Sequence, residues 1–331
     1  DLLTGETKGI RHDDPDMRWN WNSPILISPH NCNVVFHAGN MLLRSEFRGE
    51  SWDVISPDLT KDDPATQTTG RGGDGNIQYG TITTIDESPL KAGVIWVGTD
   101  DGNVQVTQDG GDTWTLLNDN IPNNPEYWVS RVEASHHDLG TAYVSYTGYR
   151  RDDFRPFVYK TTDFGATWSD ISANLPNGPI NVIREHHQNP DLLFLGTEFQ
   201  VWVSNTGGAS WTSMKLDMPT SPVHDMKIQE RDNDLVVATH GRGVYIADIA
   251  PLADRLLIFL SDFRCPHEVL PVRSQQPRLF ARGWARRRSR ASAALVSEAV
   301  STAPSASVSR VAPANRVSFV KIELFGPPPN L

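Results

Sequence analysis

Apolar residues in this chain come in short runs separated by compact clusters of Gly, Asp, Asn and Pro. The runs are too short for helices and carry the β-branched and aromatic residues that suit strands. Several occur as pairs across a tight polar turn. "VIWVGT" and "VQVT" flank "DDGN" (Val94–Thr107), "LLFLGT" and "VWVS" flank "EFQ" (Leu192–Ser204), and "DLVVAT" and "GVYIAD" flank "HGR" (Asp234–Asp248). Ahead of each pair stands one more apolar run, at Ile25–Ser28, Thr81–Ile85, Val129–Ala134, Ile180–Arg184 and Val223–Ile228. No stretch shows the 3.6-residue period of an amphipathic helix.

Four segments then repeat one pattern: a small hydroxyl residue, turn residues, Gly, one residue, Ser or Thr, and Trp. They are "SEFRGESW" (Ser45–Trp52), "TQDGGDTW" (Thr107–Trp114), "TTDFGATW" (Thr161–Trp168) and "SNTGGASW" (Ser204–Trp211). The repeating unit is therefore strand, strand, strand, Gly turn, and a last strand opening at Trp. Four antiparallel strands in a repeat of roughly 40–60 residues make the blade of a β-propeller. Trp52, Trp114, Trp168 and Trp211 are expected to pack between neighbouring blades, a burial worth about 2–3 kcal/mol each. In the turn, the Asp109 and Asp163 carboxylates can accept bonds from backbone N–H groups of their own loops. Gly49, Gly111, Gly165 and Gly208 supply a positive φ. Phe47 and Thr206 replace the carboxylate in the other two copies, which are expected to be looser.

This S/T-x-D-x-G-x-T/S-W pattern resembles the Asp-box, or BNR repeat, of sialidases, family 74 xyloglucanases, the sortilin/Vps10 ectodomain and photosystem assembly propellers. The flanking text is most similar to large bacterial proteins described as glycosyl hydrolase, BNR repeat, or sortilin-like. The resemblance rests on "WNWNSPILISPHNCNVVFHAGN", "ESWDVISPDLT", "WVSRVEAS" and "VVATHGRGVYIADIAPL" together with the Gly–Trp segments, and covers about residues 1–252. It implies an all-β propeller of four-stranded blades, with more blades upstream, and a glycan or polypeptide as ligand. Five modules are expected, at about 19–56, 77–117, 127–172, 179–214 and 222–249. They either close a small ring or form part of a larger one. Export to the periplasm or outside the cell is implied by the resemblance alone.

Beyond Ala253 the pattern stops. Residues 255–331 contain 11 Arg, 1 Lys and 4 acidic residues, and Ser, Ala and Pro dominate the rest. An irregular basic tail over 253–331 is expected, to which no role is assigned. The remainder carries 18 basic and 36 acidic residues, which argues against nucleic acid as a partner. No apolar run approaches the 18 residues of a membrane span. Cys32 and Cys265 lie in unlike contexts, so no disulfide framework is expected. A chain beginning at Asp1 is expected to be a fragment or a processed product.

The repeated Asp109 and Asp163 are read as structural, because they recur in the outer strand pair. Ligand sites in propellers cluster near the axis, on the face that collects the loops before the first strands and the turns between second and third strands; this is an argument by fold analogy. That face is expected to gather Trp21, Arg71, Tyr79, Asp100, Trp128, Tyr149, Arg150, His240 and Arg242 as ligand-binding candidates. Aromatics beside carboxylates and arginines suit a sugar, a peptide or an anion. Glycoside hydrolysis needs two carboxyl groups about 5–5.5 Å or about 6.5–9.5 Å apart, and Asp101, Asp153 and Glu198 are the candidates. The pairs His136–His137 and His186–His187 do not chelate by adjacency, since neighbours on a strand point to opposite faces. No metal and no cofactor is expected, and no phosphate loop, HExxH or GxSxG is present. The leading expectation is a binding propeller. A glycoside hydrolase of xyloglucanase or sialidase type and an assembly scaffold are the alternatives.

Overall fold

The computed structural model describes residues 14–67, 79–214 and 218–253, with residues 5, 7, 9, 10 and 12. Arg71 and the basic segment expected after Ala253 lie outside the described residues. The first sheet comprises β1 (Ile25–Ile27), β2 (Val35–Ala38), β3 (Leu42–Ser45) and β4 (Asp53–Val54). The second has β5 (Ile82–Glu87), β6 (Ile95–Thr99), β7 (Val104–Thr107) and β8 (Thr115–Leu116). The third has β9 (Trp128–Ala134), β10 (Ala142–Thr147), β11 (Phe157–Thr161) and β12 (Ser169–Asp170). The fourth has β13 (Ile180–His186), β14 (Asn189–Thr197), β15 (Val201–Ser204) and β16 (Thr212–Ser213). The fifth has β17 (Val223–Gln229), β18 (Asp234–Thr239) and β19 (Gly243–Asp248), followed by a single helical turn, Ala250–Ala253. Strand order within every sheet follows the sequence, and all pairings are antiparallel. The fifth sheet thus has three strands where the other four have four, in line with the missing Gly–Trp segment after Asp248.

First strands lie side by side from sheet to sheet: β5 beside β9, β9 beside β13, and β13 beside β17. This stacks the sheets face to face around an axis, with the first strand of each innermost. Apolar faces meet at each junction. Val106, Leu117, Val129, Val132, Val144 and Trp168 pack in one core, and Val182, Phe194, Val223, Met226, Leu235 and Val237 in another. Gly98 on β6 and Gly196 on β14 sit where the next blade comes closest. A Cβ at Gly98 would lie 2.3 Å from Val129 Cγ1, and one at Gly196 would lie 2.6 Å from Val223 Cγ1.

The Gly–Trp turns seal the outer rim. Gly111 N donates to Thr107 Oγ1 (3.0 Å), and Asp109 Oδ1 and Oδ2 accept from Thr113 N (2.9 Å) and Thr113 Oγ1 (2.6 Å). Thr161, Asp163, Gly165 and Thr167 repeat the same set. In the fourth blade the Thr206 hydroxyl takes the place of the carboxylate, accepting from Ser210 N at 3.0 Å. In the first, the Ser45 hydroxyl still accepts from Gly49 N (2.8 Å) and Phe47 N (3.2 Å), but the carboxylate bonds have no counterpart, since Phe47 offers no acceptor and is exposed. The glycines do more than supply a positive φ. Gly111 lies against Ile55, Gly165 against Leu117 and Gly208 against Ile171, in each case the residue that leaves the outer strand of the preceding blade. The Trp114 and Trp211 indoles donate to Ile55 O (3.2 Å) and Ile171 O (2.7 Å) of the preceding blade. Trp168 bonds its own turn at Gly165 O and meets Trp96 of the preceding blade edge-on. Trp168 and Trp211 are buried, whereas Trp52 and Trp114 are half-buried.

Candidate functional site at the axial face

Asp100, Glu198 and His240 occupy equivalent positions. Each follows the second strand of its sheet, and each backbone N–H donates to a carbonyl just ahead of the first strand: Thr81 O (3.0 Å), Pro179 O (3.3 Å) and Pro222 O (2.9 Å). The turns after the second strands therefore gather at one end of the inner strands. Pairing of the first two strands shifts register at this same end in sheets two to five. The bulge leaves Thr83, Ser130, Asn181 and His224 unpaired, and bulges of this kind re-aim side chains. Asn181 Nδ2 donates to Glu198 Oε1 (3.0 Å), and the His224 ring stacks on His240 at 5.0 Å and 13°. Neither Asn181 nor His224 was expected at this face, because a bulge has no sequence signature in an otherwise regular strand.

A cavity of about 340 Å³ opens between the second and third blades. Its lining includes Tyr79, Asp100, Asp101, Tyr127, Trp128 and Arg150. Asp100 is buried and saturated. Its oxygens accept from Gly80 N (3.0 Å), Thr81 N (2.9 Å), Thr81 Oγ1 (2.6 Å) and Asn20 Nδ2 (3.2 Å). Burial nevertheless raises its pKa to about 6. Asp101 accepts from Thr99 Oγ1 (2.5 Å) and Lys61 N (2.8 Å), and burial raises its pKa too. Tyr79 meets Trp128 edge-on at 6.2 Å, and the Arg150 guanidinium lies over the Trp128 ring, 4.2 Å from its centroid.

The other described candidates fall outside this cavity. Asp153 is tied to Arg155 (2.6 Å) and to the Tyr127 hydroxyl (3.2 Å), and the Arg155 bond lowers its pKa to about 2. Tyr149 is exposed and packs edge-on against Phe154, and Trp21 is exposed. Glu198 and His240 stand on the fourth and fifth blades, and Arg242 is exposed in the β18–β19 turn. Of the three carboxylates considered for hydrolysis, Asp101 alone lines the cavity.

The histidine pairs join blades at the opposite end of the first strands. His137 Nε2–H donates to His186 O (2.8 Å), and His30 Nε2–H makes the matching bond to Ser88 O (2.8 Å). Ser28 and Ser135 hydroxyls donate to Glu87 (2.5 Å) and Glu185 (2.8 Å) of the next blade. His186 Nδ1 accepts from Gln188 N (3.1 Å), which leaves its Nε2 proton for Asn233 Oδ1 (3.3 Å). Burial lowers the His186 pKa to about 4, so the ring is neutral at pH 7. Among the described residues no three His, Cys, Asp or Glu side chains form a group able to hold a metal ion, and no helix is long and apolar enough to cross a membrane.

No protein-family model matches the chain, and no curated protein matches it. Solved structures do. The GH74 xyloglucanase from Xanthomonas campestris superposes with a TM-score of 0.54 at 20% identity, over 68% of this chain and 36% of that one. The Niastella koreensis GH74 enzyme gives 0.51 at 20% identity, over 68% and 36%. An ancestral GH74 enzyme gives 0.51 at 14% identity, over 71% and 30%. The fold is that of a β-propeller. At these identities the likeness is one of fold, and the chain spans about a third of the length of these three enzymes.

Proposed function

We propose that this protein is a binding propeller of the Asp-box type that takes a glycan or polypeptide at its axial face. The observation that carries this reading is the cavity between the second and third blades. It combines aromatic walls at Tyr79, Tyr127 and Trp128 with the carboxylate of Asp101 and the guanidinium of Arg150. A concave site with apolar walls and a few convergent polar groups is the usual form of a ligand pocket. Export of the protein is part of the same proposal.

Hydrolysis is the weaker reading. It needs one carboxyl kept protonated and a second left ionised across the scissile bond. Asp100 has the raised pKa of an acid, but four donors already engage its oxygens. Asp153 is held by Arg155 and by the hydroxyl of the wall residue Tyr127, and Glu198 by Asn181, and neither carboxylate lines the cavity. The test is to incubate the protein with xyloglucan, β-glucans and sialosides and follow product release. In parallel, binding of the same glycans and of a peptide library is measured by calorimetry. Binding without turnover is expected. Turnover abolished by Asp101→Asn would reinstate the hydrolase.

A further inference from the structure

The cavity already holds a cation on its aromatic wall. The Arg150 guanidinium lies 4.2 Å from the centroid of Trp128, well inside the range of a cation–π contact. Trp128 is itself only 7% exposed, so its ring is a walled platform rather than a surface residue. Tyr79 braces it edge-on, and Tyr127 stands in the same lining.

The charges around that platform are unevenly matched. Lys61 pairs with Glu126 at 2.9 Å, and its charge also bears on Asp101 without pairing with it. Asp63 and Asp101 also line the cavity, and neither forms an ion pair with a described residue. Among the described residues the Asp63 carboxylate accepts only from Ala65 N (2.9 Å), and Asp101 accepts one bond on each oxygen, from Thr99 and from the Lys61 backbone. Each carboxylate keeps lone pairs for another donor. Burial also raises the Asp101 pKa, and a nearby positive charge would offset that shift. The part of the chain that builds the blades has twice as many acidic as basic residues, 36 against 18, a net charge that favours cations over anions.

We infer that the cavity between Trp128, Asp63 and Asp101 is a cation pocket whose ligand is the basic side chain of a polypeptide, with Arg150 as its tethered occupant. This inference rests on the axial face being the ligand site. A guanidinium or ammonium from the partner replaces Arg150 on the Trp128 ring and pairs with the two carboxylates. The displaced Arg150 swings towards the solvent. Arg150 is thus a competitor of the ligand, which is the opposite of the role an arginine plays at a site for anions.

The test uses the tripeptide acetyl-Gly-Arg-Gly-amide, with acetyl-Gly-Gln-Gly-amide and a xyloglucan oligosaccharide as comparisons. Binding is read from the Trp128 indole NMR resonance of the whole chain, assigned with Trp128→Phe. The arginine peptide is expected to shift that resonance, and more weakly at high salt. Asp63→Asn and Asp101→Asn are each expected to weaken it by about threefold. Asp63 is exposed, so its variant reports even if Asp101→Asn perturbs folding. Arg150→Ala is expected to tighten binding by about fivefold by clearing the ring. Weaker binding in Arg150→Ala, or equal binding of the glutamine peptide, would overturn the inference. A response to the oligosaccharide with none to the arginine peptide would also overturn it, while leaving the axial face as the ligand site. Silence from all three probes would remove both.

Discussion

At the scale of single residues, the same amino acid does unequal work at equivalent places. Trp211 is fully enclosed and bonds Ile171 O, while Trp114 makes the matching bond from a half-exposed position. Trp211→Ala is therefore expected to cost about 3–5 kcal/mol, and Trp114→Ala clearly less, as read from urea denaturation midpoints. Asp100 offers a second residue-level test. Its folded pKa of about 6 lies above the 3.8 of a free side chain, so the folded state holds its proton more tightly. Its contribution to stability is greatest below pH 4 and declines as pH rises to about 6. Subtracting the pH–stability curve of Asp100→Asn from that of the parent should leave this slope. A flat difference between pH 4 and 7 would show that Asp100 titrates normally.

At the scale of strands and turns, the fold depends on how closely one blade can approach the next. Gly98 and Gly196 stand at the same point of the second strand, each against a valine of the next blade's first strand. Gly98→Ala places a methyl group 2.3 Å from Val129 Cγ1, too close for any pair of carbons, so the junction must open. A loss of about 2 kcal/mol is expected, typical of overpacking. Val129→Ala removes the nearest of the obstructing groups, leaving Val129 Cβ at 2.8 Å and Thr84 Cγ2 at 2.9 Å, so the double variant should be more stable than the two separate losses predict. Simple additivity in the denaturation data would mean that the two residues do not meet. The strand pattern and the Gly–Trp turns were legible because they repeat. The register shifts that bring Asn181 to Glu198 and His224 to His240 were not, because pairing between strands decides them.

At the scale of the whole molecule, a chain of charges on the inner strands, half-buried for the most part and reaching solvent at Asp225, ties four blades together. Asp86 accepts from Ala134 N (2.7 Å), Glu133 pairs with Arg184, and Arg184 and Arg131 both reach Asp225, at 3.0 Å and 2.8 Å. The network runs from the second blade to the fifth, through Arg131 and Arg184, both half-buried on the inner strands. Burial and the Glu133 charge raise the Asp86 pKa to about 7, while burial lowers that of Arg131 to about 10. Arg184→Met strands Glu133 without its partner and is expected to cost about 3–5 kcal/mol. Since Arg184 joins the third, fourth and fifth blades, the loss should appear as earlier hydrogen exchange in all three. Protection lost in the fourth blade alone would mean that the blades unfold independently.

The order of strands, their antiparallel pairing and the four sealing turns follow from the chain itself, because period, turn residues and repeat are local properties that survive in any context. The histidine pairs show where local reading ends: in sequence they are only adjacent rings, and in space His137 and His186 are bolts between blades. The candidate site divides in the same way. Tyr79, Asp100, Asp101, Trp128 and Arg150 meet in one cavity, while Asp153, Glu198, Tyr149 and His240 do not line it. Which residues meet there depends on the angle at which one sheet packs on the next. That angle is set by side-chain volumes distributed over distant segments of the chain, and it exists only once the blades are assembled.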